Sequence, residues 1–252
     1  MCILALAYQV HPEFPLVLIT NRDEFYARKT ERAHFWEKEN ILAGKDLEAG
    51  GTWLGIHKNG RWALLTNFRD INNIKNNAPS RGQLALDFLR SKNTATDYLQ
   101  DLQKKAQQFN GFNLLLSDGL GLYHYANTSD KITKLNAGFY SLSNALLDTP
   151  WPKTQKLKAG LEQAIRQNNF KKDFLFSLLR DEEKAKIHEL PQTGLSLKLE
   201  EAMSSIFIQT PVYGTRCSTL LLVDKNGKTH FTERGFDDKG IHTTDLEFSF
   251  LV

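Results

Sequence analysis

Cysteine is scarce in this chain: Cys2 and Cys217 are the only two in 252 residues. A secreted protein of this size usually carries more, and no cysteine or histidine pairs stand at metal-ligand spacing. A reducing, cytoplasmic setting is therefore expected, with no metal. Glycine and proline are also few, 16 and 7, which excludes collagen-like and low-complexity classes. Neither charge sign gathers in blocks and the net charge is only +3, so no electrostatic footprint for nucleic acid is present. The longest apolar run, residues 1–8, is far shorter than the ~20 residues that span a bilayer. No basic segment precedes it, so neither an integral membrane segment nor a signal peptide is expected. A glycine-rich phosphate loop, a histidine pair at helical spacing, a Gly-x-Ser-x-Gly elbow and a Ca²⁺ loop are missing as well, and no cofactor is implied.

What is present is an ordinary globular composition, 41% apolar and 24% charged. The chain is long enough for one large domain or two small ones. With no repeat period and no Ser/Gly linker, one domain over 1–252 is expected. Residues 2–8 and 16–20 read as a strand pair broken at His11-Pro12-Glu13. Asn59-Gly60 and Asn226-Gly227 suit tight hairpin turns, joining 52–57 to 61–67 and 218–224 to 228–233. Shorter strands are expected at 111–118, 120–126, 132–135 and 139–142. Helical spacing predicts helices over 80–90 and 94–108, capped by Ser80 and Thr94, and over 153–167, 173–186 and 199–205. The polar stretches 70–79 and 189–196 read as mobile loops. Strands and helices occur in separate runs, so the fold class is α+β and not a doubly wound parallel sheet.

The chemistry concentrates at Cys2, directly after Met1 and at the head of an apolar strand. Methionine is generally removed before a small residue, and an N-terminal cysteine then holds a nucleophile and a base together. Its amine (typical pKa ~8) can take the proton of its thiol (typical pKa ~8.5). As a buried hydrophobe, Cys2 would instead be inert. Asn21-Arg22-Asp23-Glu24 follows the second strand and fits either a capping box or a site. In the second case Arg22 favours the Cys2 thiolate, and Asp23 or Glu24 holds the amine or the guanidinium. Antiparallel pairing of the first two strands returns Arg22 to the neighbourhood of Cys2. Gly50-Gly51 lets backbone approach a ligand or a neighbouring strand, or simply turns. Asn67 and Asn144 end strands, where an amide donates to an oxyanion or caps a turn. Arg216 suits a substrate carboxylate or a solvated ion pair.

Taken together, several stretches resemble the NRDE family, whose animal members include the transport and Golgi organisation proteins. They are Met1-Cys2, Asn21-Arg22-Asp23-Glu24, Gly50-Gly51-Thr52-Trp53-Leu54-Gly55 with Leu65-Thr66-Asn67, Ser80-Arg81-Gly82, Asn110-Gly111-Phe112-Asn113-Leu114, Ser143-Asn144, Asp148-Thr149-Pro150-Trp151-Pro152-Lys153 and Tyr213-Gly214-Thr215-Arg216. The likeness runs through nearly the whole chain in order. It implies an N-terminal-nucleophile hydrolase-like αββα fold, two antiparallel sheets face to face between helical layers. Cysteine enzymes of that architecture, such as choloylglycine hydrolases, penicillin V acylases and acid ceramidase, cleave non-peptide amides through an acyl-enzyme. The resemblance matches Cys2 to their nucleophile and Arg22 to an arginine beside it. Asp23 matches their aspartate with an offset, leaving Glu24 as its competitor. By order along the chain, Asn67, Asn144 and Arg216 fall at the oxyanion and support positions.

Two function classes follow. One is a cytoplasmic cysteine amidohydrolase acting on a small-molecule amide. The other, implied by the family's links to secretory organisation and to haem and lipid handling, is a non-catalytic carrier of an amphipathic ligand such as haem or an acyl thioester. An aromatic content of 11% and seven histidines offer contacts and axial ligands for such a carrier. A third reading, an interaction platform with a degenerate pocket, predicts no role for Cys2 or Arg22.

Overall fold

The first two apolar runs form the strand pair expected of them, and both are buried on two sides. In the computed structural model, which describes residues 2–167 and 170–252, the elements in chain order are β1 (Cys2–Tyr8), β2 (Leu16–Phe25), β3 (Thr30–Trp36), β4 (Ile41–Asp46), β5 (Leu54–His57), β6 (Trp62–Asn67), α1 (Gly82–Arg90), α2 (Ala95–Gln103), β7 (Phe112–Ser117), β8 (Leu122–Ala126), β9 (Lys131–Leu135), β10 (Gly138–Leu142), α3 (Pro152–Arg166), α4 (Lys172–Leu179), α5 (Leu197–Ala202), β11 (Tyr213–Val223), β12 (Lys228–Phe236) and β13 (His242–Leu251). Short 3₁₀ turns occur at Ile71–Asn73, Ala106–Gln108 and Ile187–Glu189. The fold is α+β with two antiparallel sheets. Contacts divide the chain into two compact units, the first made of the N-terminal segment through Ala27 together with Ala137–Leu251, the second of Arg28–Asn136 with Val252.

The first unit holds a six-stranded sheet in the order β10-β1-β2-β11-β12-β13. One face of β1, β2 and β11 presents Ile3, Ala5, Val17, Ile19 and Leu220 to Leu157 and Leu161 of α3 and Leu175 and Leu179 of α4. Leu4, Leu6, Leu18 and Leu221, which alternate with these, are buried too. Burial on both faces explains why β1 reads as an unbroken apolar run without strand-like alternation.

The second unit holds the seven-stranded sheet β3-β4-β5-β6-β7-β8-β9. Ala63, Leu65, Leu114, Leu116 and Tyr125 form a core with Leu84, Phe88 and Leu89 of α1 and Leu99 and Leu102 of α2. Gly51 approaches two backbones closely: its carbonyl accepts from the Asp46 amide at the end of β4 at 2.9 Å, and its Cα faces the start of α1. A Cβ there would lie 2.4 Å from the Gly82 carbonyl carbon, where the Thr52 amide donates to the Gly82 carbonyl oxygen at 3.2 Å. Gly51→Ala must push the start of α1 away from this loop and is expected to lower stability by about 1–3 kcal/mol, read as a shifted urea midpoint.

Several boundaries differ from expectation for tertiary reasons. Asn21-Arg22-Asp23-Glu24 does not cap a helix: β2 runs on through Phe25, paired with β1 and β11 on its two sides. The N-cap of α1 is Arg81, not Ser80, and no side chain caps it. Thr94 does cap α2, accepting from the Asp97 amide. α2 stops at Gln103, ahead of the 3₁₀ turn, and α4 at Leu179, short of 186. Beyond α4, Arg180 stacks 3.7 Å over Phe207 and donates to the Gly240 carbonyl, which pulls the chain away from the helix axis. β3, β4 and β13 are additional to the strands expected from sequence. β3 and β13 are edge strands, and their exposed polar residues mask the apolar signal of a strand.

Candidate active site

The hairpin register places Cys2 of β1 directly opposite Arg22 of β2, and β11 places Cys217 opposite Arg22 from the other side. Residues directly opposed on neighbouring strands share a face, so the Arg22 side chain shares its face with both thiols. Cys2 and Arg22 are each only 6% exposed. Both thiols are reduced. Two strand spacings separate their Cα atoms by about 10 Å, beyond the ~7 Å reach of a disulfide.

The two thiols differ in what surrounds them. Burial pushes the Cys2 thiol above its ordinary pKa and the Asp23 carboxylate adds to this, while the charge of the amino terminus, Arg22 and a hydrogen bond from the Asp23 backbone amide pull it down. Burial pushes Cys217 further up, well above the ordinary value, and the Glu233 carboxylate beside it acts in the same sense. Cys2 thus rests as a thiol with thiolate-stabilising groups in place, and Cys217 as a thiol hydrogen-bonded to a carboxylate.

Asp23, 1% exposed, is held on several sides. Thr215 Oγ1 donates to its Oδ1 at 2.8 Å and Tyr213 Oη to its carbonyl at 2.9 Å. Burial raises its pKa, opposed first by the charge of the amino terminus, then by Lys153, the Thr215 hydrogen bond and Arg22. Glu24 is half-buried and accepts from the Phe25 amide, so of the two neighbouring carboxylates it is Asp23 that lies in this cluster. Asn21 points to the helix-facing side, where Nδ2 donates to the Leu179 and Ile206 carbonyls at 2.8 and 3.0 Å and Oδ1 accepts from Ser218 at 2.6 Å.

Asn144 follows β10, the other neighbour of β1. Ser143 Oγ lies 3.1 Å from the Cys2 carbonyl oxygen and 3.2 Å from Asn144 Oδ1, which ties Asn144 to the start of β1. Arg216 sits at the bulge between Thr215 and Cys217. Its Nη1 donates to the Phe25 and Tyr26 carbonyls at 3.1 and 3.0 Å. Burial and the neighbouring Arg22 charge both lower its pKa. Asn67 closes β6 in the second unit, opposite Phe112. Cys2, Arg22, Asp23 and Asn144 are therefore gathered in the first unit, with Arg216 on the strand beside them.

The family model of Transport and Golgi organisation 2 matches residues 1–238. The chain belongs to this family. It is 36% identical to the human Transport and Golgi organization protein 2 homolog over 278 residues, 99% of each chain. To the bovine homolog it is 35% identical over 276 residues, 98% of this chain and 99% of that one. Among solved structures, the C2A mutant of the conjugated bile acid hydrolase from Clostridium perfringens aligns over 99% of this chain and 97% of its own, with a TM-score of 0.50 and 10% identity. At that identity the likeness is one of fold, an N-terminal-nucleophile hydrolase-like arrangement.

Within this Transport and Golgi organisation 2 member, sequence reasoning overlooks Lys153, Tyr213, Thr215 and the position of Cys217. The signals are present: Pro152-Lys153 reads as a helix start and Tyr213-Gly214-Thr215 as the approach to Arg216. What is missing from the sequence is the register that brings them to Asp23. Among the described residues no helix is long and apolar enough to cross a membrane.

Proposed function

We propose that the chain is a cysteine N-terminal-nucleophile hydrolase that cleaves a non-peptide amide through an acyl-enzyme, with Cys2 as nucleophile. The observation that carries this reading is the placement of Cys2 opposite Arg22, with the Asp23 amide donating to its sulfur. A thiol that rests protonated needs a base, and removal of Met1 supplies one in the α-amine of Cys2. Met1 itself lies outside the described residues. The amine takes the thiol proton, sulfur attacks the amide carbonyl, and the tetrahedral oxyanion collapses as the leaving amine departs with that proton. Water, deprotonated by the same α-amine, then attacks the thioester and releases the acid and the thiol. Arg22 favours the thiolate, Asp23 holds the α-amine, and Asn144 is assigned to the oxyanion or the substrate. Arg216 is assigned to support of the Arg22–Asp23 strand end. Two reduced thiols, one of them the nucleophile, suit a reducing cytoplasm.

The likeness to a bile acid hydrolase studied as a mutant at its own second residue, a cysteine, supports the choice of Cys2. The deciding experiment is intact mass spectrometry of the natively expressed protein, combined with an activated-amide probe. A chain lacking Met1 and acylated at Cys2 is expected. Quantitative retention of Met1 defeats the mechanism and returns the carrier of an amphipathic ligand to first place.

The pH dependence has a definite sign. Because burial raises the thiol pKa, alkylation of Cys2 in protein that keeps Met1 is expected to accelerate with an inflection above that of a free cysteine. Arg22→Ala removes a charge that favours the thiolate, so the inflection moves to higher pH. The rate at neutral pH then falls about tenfold for every pH unit by which the inflection rises. Stopped-flow alkylation across pH 7–10.5 checks both statements.

A further inference from the structure

Lys153 has no part in the chemistry above, yet it is the one buried lysine among the described residues, 5% exposed. It is the second residue of α3, the helix that packs on β1 and β10. Its Nζ donates to the Met203 carbonyl at 2.8 Å. Met203 packs with Ile208 and Tyr213, and Tyr213 holds the Asp23 carbonyl. The Ile208 amide donates to Thr215 Oγ1 at 2.9 Å, so the single hydroxyl proton of Thr215 is the one given to Asp23 Oδ1. The short segment 203–208 thus contacts both the Lys153 ammonium and the two residues, Tyr213 and Thr215, that hold Asp23.

A buried ammonium is strongly destabilising unless an opposite charge stands near it, and the same holds for a buried carboxylate. We propose that Lys153 is a positioning residue of the thiol site, its ammonium serving as a countercharge that, together with the amino terminus and Arg22, keeps Asp23 a carboxylate beside Cys2. This rests on the reading of Cys2 as nucleophile, in which a charged Asp23 holds the α-amine next to the sulfur and a neutral Asp23 does not. The charge of Lys153 also opposes the upward push of burial on the Asp23 carboxyl. The other titratable and charged groups around Asp23 are the amino terminus of the chain and Cys2 at the head of β1, Arg22 and Glu24 on β2 with Tyr26 just beyond, and Tyr213, Arg216 and Cys217 on β11.

The direction of the pH effect follows from linkage. A carboxyl whose folded pKa is raised binds its proton more tightly in the native state, so stability falls as pH rises from the unfolded pKa, about 4, to the folded one. Without Lys153 the folded value climbs further, and this interval extends toward neutrality.

Denaturant unfolding of the full chain, at pH values from 4.5 to 8, tests the pair with Lys153→Met, Lys153→Arg, Asp23→Asn and the Lys153→Met/Asp23→Asn double variant. The penalty for Lys153→Met is expected to grow with pH, by about tenfold in the unfolding constant for each further unit by which the Asp23 pKa rises. In the Asp23→Asn background the penalty shrinks and loses its pH dependence, and Lys153→Arg keeps the wild-type profile. If Lys153→Met alone does not fold, the double variant is expected to fold, because both charges are gone. A penalty equal at all pH values and in both backgrounds, or a double variant no better than an unfolded single one, overturns the proposal. The measurement needs no substrate. Coupled residues around an unreactive Cys2 would sink the hydrolase reading, whereas uncoupled residues beside a Cys2 that acylates would sink the role of Lys153 alone.

Discussion

An activated-amide or chloroacetyl probe is expected to label one thiol, Cys2, although both cysteines are buried and both flank Arg22. Their surroundings decide the outcome. Cys2 begins its strand, takes a hydrogen bond from the Asp23 amide and has a cation beside it, so forming its thiolate meets donors already in place. Cys217 lies inside β11, between β2 and β12, and its thiol faces the Glu233 carboxylate. Ionising it would put two anions side by side in a buried site. Cys2→Ala is expected to reduce labelling by about a thousandfold or more, to the level of unspecific reaction, as loss of a nucleophile does. Cys217→Ala should change the Cys2 rate by no more than about threefold, half a pKa unit. Peptide mapping after a timed pulse gives both numbers. Labelling of Cys217 at a rate comparable to Cys2 would mean that Arg22 alone, and not the strand end with its backbone amide, sets reactivity, and the assignment of Cys2 would fail.

The largest effect on stability is expected from the neighbouring Asn21→Ala, which leaves the thiol chemistry alone. Asn21 is fully buried, and its amide satisfies the Leu179 carbonyl at the end of α4, the Ile206 carbonyl and the Ser218 hydroxyl. Truncation strands these three groups away from water, each at about 1–3 kcal/mol and with incomplete additivity, so a loss of about 3–5 kcal/mol is expected. Glu24→Ala, at the other end of the same four residues, removes a local contact to the Phe25 amide from a half-buried side chain. It should cost no more than about 1 kcal/mol. Urea unfolding compares the two. Asn21 faces the helices and Arg22 the opposite side, so the folded fraction of Asn21→Ala should still alkylate Cys2 at the native rate. A slow Cys2 in folded Asn21→Ala would show that Asn21 belongs to the site.

The motif Asn21-Arg22-Asp23-Glu24 illustrates how far the sequence can be read. Two accounts of it are open there, a helix cap and a catalytic strand end, because four polar residues after an apolar run satisfy both. The sheet resolves this in favour of a strand: with β1 on one side and β11 on the other, continuing β2 pairs backbone groups that a helical turn would leave to side chains. The period-2 alternation then sorts the residues, Asn21 toward α4 and Arg22 toward the thiols, which composition alone does not reveal. Asp23 and Glu24, equal candidates in the sequence, separate only because Thr215 and Tyr213 reach Asp23.

Local chemistry was enough for the parts in which neighbours in sequence are neighbours in space. The Asn-Gly turns, the apolar strand β1, the helix that begins at Pro152 and the return of Arg22 to Cys2 all depend on short connections, and a short antiparallel turn admits few registers. The tertiary structure alone decided which partners close around Asp23 and which thiol lies beside a carboxylate. Thr215 lies 192 residues from Asp23, and no local rule selects β11 rather than another strand to lie along β2. That choice depends on how the whole apolar face of the sheet is covered by α3 and α4, and so do the burial of Lys153 and the placement of Glu233 beside Cys217.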